Sequence, residues 1–169
     1  MTLDLGIILQ LATLVTVFAG LVFGIMEVRR ARQVRADKGA RNVLGIAVNP
    51  DHIEAAYGIL ELPVDARPEL VGNSPELKRL ANTLMVQYEF LGNLVYQRIV
   101  PLHTLDLLMG GIIRASWERL RPYIEEQRNA KGIANMAEWF QWLAEQLDKH
   151  GGSEKAALGA HIAFKDWKP

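Results

Sequence analysis

The sequence predicts an all-α protein: one N-terminal transmembrane helix followed by a cytoplasmic bundle of about four helices. Three observations carry that expectation. Leu5 to Met26 is an unbroken run of 22 residues without a charged side chain. The remaining chain places apolar residues at three- and four-residue steps between Pro, Asn, Ser and Gly punctuation. Nowhere do four or more residues alternate with the period of a strand between turn signals.

At 1.5 Å per residue the apolar run would measure about 33 Å, against a hydrocarbon core of roughly 30 Å. Six basic residues follow it closely: Arg29, Arg30, Arg32, Arg35, Lys38 and Arg41, opposed by Glu27 and Asp37. Basic residues beside a span stay on the cytoplasmic side. The expected placement is therefore the inner membrane, N-terminus outside and C-terminal domain inside. A cleaved signal peptide needs a basic start, a shorter apolar stretch and a small-x-small cleavage site; Met1 to Asp4 and the length of the run argue against it.

Composition narrows the rest. Lys plus Arg and Asp plus Glu each number 19, so the chain makes no electrostatic case for nucleic acid. The arginine block is local and suits anionic lipid, at on the order of 1 kcal/mol per residue near such a surface. Cysteine is absent, which rules out disulfide and thiol chemistry. The expected divisions are an anchor with its basic extension over 1–38, a helical bundle over 39–150 and a loosely held tail over 151–169.

The anchor helix should end near Lys38-Gly39, with Gly39 as a left-handed cap. Asn49-Pro50-Asp51 opens a second helix, because Asn caps, Pro fits the first position and Asp faces the positive end of the dipole. Ile53, Ala56, Tyr57 and Leu60 supply its apolar spacing, and Pro63 ends it. Residues 63–73 form a loop with one short turn. Ser74-Pro75-Glu76 opens a long helix to about Ile99, striped by Leu77, Leu80, Leu84, Tyr88, Leu91 and Val95. Pro101 breaks it. The next helix starts near Thr104, carries Leu105, Leu108, Ile112, Ala115 and Leu120 inward, kinks at Pro122 and stops over Asn129 to Gly132. Asn135 should cap the last helix in a capping box with Glu138, and Trp139, Phe140, Leu143 and Leu147 form its apolar side. A short helix is expected at 154–163 in the tail.

Few residues suggest chemistry. Ala12, Thr16, Gly20 and Gly24 recur every four residues and form a small-residue face suited to close helix packing on another membrane subunit or on a second copy. Gly110-Gly111 lacks the strand and extra glycines of a phosphate loop; close packing against the 75–99 helix, with Gly92 opposite, is the better account. Glu89, Asn93, Arg114 and Glu118 could meet as a buried polar network or, less simply, as a polar site between helices. His52, His103, His150 and His161 are dispersed and show no metal-ligand spacing. Trp139 and Trp142 cannot both face one core, so Trp142 is a candidate interface residue. No catalytic, cofactor or metal residue is assigned.

Three segments carry a resemblance: residues 88–95 (Tyr-Glu-Phe-Leu-Gly-Asn-Leu-Val), 110–124 (from Gly110-Gly111 through Trp117-Glu118 to Pro122-Tyr123-Ile124) and 138–143 (Glu-Trp-Phe-Gln-Trp-Leu). Over roughly residues 1 to 148 the chain resembles a bacterial family known as a domain of unknown function. Members are commonly small, with one spanning helix and a helical cytoplasmic domain. The resemblance implies that architecture and no catalytic residue. The functional expectation is an accessory or structural subunit whose partners are lipid, other membrane subunits or itself. The runner-up is an enzyme or signalling domain with a polar site near Glu89 and Glu118.

Overall fold

The computed structural model describes residues 5–64, 66–150, 165, 166 and 168. All regular structure among them is helical: α1 (Leu5–Ala47), α2 (Pro50–Leu60), α3 (Pro68–Gly72), α4 (Pro75–Tyr96), α5 (Leu102–Leu105), a π-turn (Asp106–Gly110), α6 (Gly111–Lys131) and α7 (Glu138–His150). The helix expected at 154–163 lies outside the described residues. Two compact units divide the chain, Met1–Asp37 and Lys38–Pro169.

The first unit corrects the transmembrane expectation. Among the described residues no helix is long and apolar enough to cross a membrane. The apolar run of Leu5 to Met26 includes the polar side chains Gln10, Thr13 and Thr16. Beyond it α1 continues without a break through Glu27, Arg29 and Arg30. The described residues of that stretch are exposed all the way to Ala31.

In the second unit α1 does not end at Gly39 but runs on to Ala47. Gly39 serves packing instead of capping. It is buried, and a Cβ there would strike the Ile99 carbonyl. Val43, one turn on, is fully buried.

The two Pro-led starts form as expected. Asn49 Oδ1 accepts from the N–H of Asp51 at 2.8 Å and of His52 at 3.4 Å. Ser74 Oγ accepts from the N–H of Leu77 at 3.2 Å. α4 packs between α2 and α7, while α6 touches α2, α3 and α7. Leu80, Leu84, Tyr88, Leu91 and Val95 of α4 are buried along one stripe. α4 closes at Tyr96, slightly earlier than Ile99, because Arg98 turns left-handed at φ 58° and the N–H groups of Ile99 and Val100 fold back onto the Leu94 carbonyl.

The inward face of α2 is His52, Ala55, Ala56 and Ile59, while Ile53 and Tyr57 are exposed. α2 lies close on α4 at Gly58, where a Cβ would meet the Leu80 side chain. On the segment after Pro101, Leu105 and Leu120 are buried as expected, but Leu108 and Ile112 are not; Met109 and Ile113 replace them. The π-turn supplies the reason. A turn closed by i→i+5 bonds takes up one extra residue, which moves the buried face forward by one position. Downstream α6 continues through Pro122 and ends at Gly132, left-handed at φ 65°.

Candidate functional site

α7 organises the polar chemistry of the second unit. Its sequence-expected cap, Asn135, lies in the preceding turn, and Ala137 between them is left-handed at φ 54°. The cap comes from α4. Glu89 Oε2 accepts from the backbone N–H of Trp139 and of Phe140, each at 3.0 Å. A carboxylate at this end satisfies two orphan donors and opposes the positive end of the helix dipole. Both bonds fall on Oε2; Oε1 takes no hydrogen bond from a described residue.

The other end of α7 is held by the opposite charge. Arg114, from α6, donates through Nη2 to the Leu147 carbonyl at 2.7 Å and to Asp106 Oδ1 at 2.7 Å, and its Nε lies 3.2 Å from Asp148 Oδ1. Gly110 is required beneath this clamp, since a Cβ there would meet the Asp106 carboxylate. The π-turn thus delivers Asp106 to Arg114. A second arginine, Arg128, donates to the Met136 carbonyl at 2.8 Å and to Gln141 Oε1 at 2.7 Å, fixing the left-handed approach to α7.

The four residues expected to meet in one network are distributed. Glu89 and Arg114 serve opposite ends of one helix. Asn93 accepts from Gln97 Nε2 at 2.5 Å, and Glu118 is exposed. Gly92 does face a close neighbour, but that neighbour is the Trp139 backbone of α7 and not the glycine pair; Gly111 has open space where a Cβ would go.

A buried polar row escaped the sequence reading. His52 Nδ1 lies 2.6 Å from Gln87 Oε1, and its ring meets Tyr88 edge-on at 5.6 Å. His52 Nε2, Tyr88 Oη and Ser116 Oγ are buried and carry no hydrogen bond to a described residue. Burial depresses the basicity of His52, partly offset by Gln87. Burial likewise pushes the Tyr88 phenol well above its ordinary range. The signal available in the sequence was phase alone: 52, 55, 56 and 59 share one helix face.

Two concavities of the second unit bear on this chemistry. A groove of about 760 Å³ runs beside α3, with Arg67, Glu69 and Leu70 on its exposed wall. A cleft of about 220 Å³ lies between α4, α6 and the turn before α7, lined in part by Glu89, Met85, Val86, Tyr123, Lys131 and Met136. It touches Glu89 but not Glu118. Burial, then the neighbouring Glu126 carboxylate, hold the Tyr123 phenol above its usual value, so it stays a protonated donor.

Trp142 is half-buried in a surface cluster, 6.0 Å from Tyr96 and 5.8 Å from Trp139 between ring centroids. Thr16, Gly20 and Gly24 are exposed, and Cβ atoms on the two glycines would meet nothing. Arg29 and Arg30 are exposed as well. The side chains of Ala12, Arg32 and Arg35 lie outside the described residues. Neither a curated protein nor a solved structure matches the chain. The family described as DUF4760, a domain of unknown function, matches residues 2–147, and the chain belongs to that family.

Proposed function

We propose that this chain is an interaction protein, an accessory subunit of a larger membrane-associated assembly or of a homo-oligomer, with no chemistry of its own. One observation carries the reading: Leu14, Val15, Val17, Phe18, Leu21, Phe23 and Met26 of α1 are all exposed, on every side of the helix. A helix that is apolar around its whole circumference is stable only when surrounded, and neighbouring helices are the cover that fits. Ala12, Thr16, Gly20 and Gly24 form the face for the closest neighbour. Arg29, Arg30, Arg32 and Arg35 beside it suit anionic lipid, which makes the inner face of the cytoplasmic membrane the proposed place of work. The arginines of the second unit fit that reading, because Arg114 and Arg128 already hold backbone groups of α7 or its approach.

Light scattering of the purified full-length chain tests the reading. Gly20→Leu with Gly24→Leu should reduce the assembled mass or strip the co-purifying subunits. Unchanged mass together with unchanged partners overturns it.

A further inference from the structure

We propose that the cleft at Glu89 binds a small zwitterion of amino-acid type with an apolar side chain. Its volume of about 220 Å³ lies below the usual range for drug-sized ligands, roughly 300–1,000 Å³, so the occupant is a small metabolite. The lining then selects its chemistry. Glu89 offers an unused carboxylate oxygen on a side chain already immobilised by two backbone bonds, so no order is lost when a ligand arrives. Lys131 lines the same cleft with the opposite charge. A simple anion would face Glu89 and a simple cation would face Lys131; a molecule carrying both an ammonium and a carboxylate satisfies each. Tyr123 lines the same cleft. Met85, Val86 and Met136 form the apolar wall. Methionine adapts to irregular shapes, which suits a branched or thioether side chain. The inference is independent of what covers α1.

Calorimetric titration of the full-length chain tests it, with L-leucine and L-methionine as probes. Isoamylamine lacks the carboxylate and 4-methylpentanoate lacks the amine. Saturable binding of the amino acids is expected, with both half-molecules at least about tenfold weaker, as loss of a charge-assisted hydrogen bond implies. Lys131→Met should weaken the amino acids by about tenfold and leave isoamylamine unchanged. Val86→Trp should fill the cleft and remove binding while the thermal unfolding transition is retained. Three outcomes each overturn the proposal: no saturation by about 10 mM amino acid, half-molecules binding as tightly as the whole, or binding indifferent to both substitutions.

Discussion

His52 shows how much a single buried side chain can impose. Its Nδ1 lies 2.6 Å from the Gln87 side-chain oxygen, and burial lowers the basicity of the ring. Folding therefore favours unprotonated His52. Its folded-state value is lowered, so the unfolded chain binds the proton first as the pH falls. Stability supplied by the neutral ring is complete above its ordinary value of 6.5 and declines below it. The slope should reach up to about 1.4 kcal/mol per pH unit. Urea midpoints compared between wild type and His52→Gln at pH 7.5 and 5.5 check this, and parallel curves would disprove it. Glycines make the same point through space. Gly92→Ala drives a methyl into the Trp139 backbone and should cost about 1–3 kcal/mol. Gly111→Ala meets nothing and should stabilise by about 0.5–1 kcal/mol through the unfolded state. Two helix glycines of like appearance in sequence thus separate by sign; thermal melts of the two variants decide it.

Helix starts were legible where the determinant is local. Asn49-Pro50 and Ser74-Pro75 carry their caps within three residues, and Gly132 stops α6 by its own conformation. The start of α7 was not legible, since its cap arrives from Glu89, fifty residues away. Nor was the phase of the segment after Pro101, because a π-turn shifts the buried face by one residue and leaves no periodic mark. Glu89→Ala should cost about 1–3 kcal/mol, lowering the urea midpoint without changing the slope. Glu89→Gln should recover part of that loss, as the amide oxygen can still accept. If the alanine variant melts like wild type, α7 is capped by something else.

At the scale of the molecule, hydrophobic content alone misled. The apolar run suggested a span, yet no described helix is long and apolar enough to cross a membrane. What composition did reveal is the all-helical class and the contrast between an exposed apolar helix and a packed bundle. The bundle's core is Tyr88, Phe140, Ile113, Leu120 and their neighbours, all within the second unit. A chain beginning at Lys38 keeps Gly39, Val43 and that whole core. It should retain helical circular dichroism and one cooperative thermal transition, while losing the self-association proposed for α1. A broad, non-cooperative melt would show that the first unit is needed for folding.

The borrowed caps of α7 also set an order of assembly. Its 13 residues are too few to hold a helix unaided, and both ends are finished by side chains that α4 and α6 must first bring into position. During synthesis its residues leave the ribosome after those of α4 and α6. Until they dock, Tyr88 and Leu91 line an open trough on α4. The nascent chain is stickiest just before α7 arrives, and a message truncated upstream of Glu138 yields a product that chaperones, not its own fold, must shield.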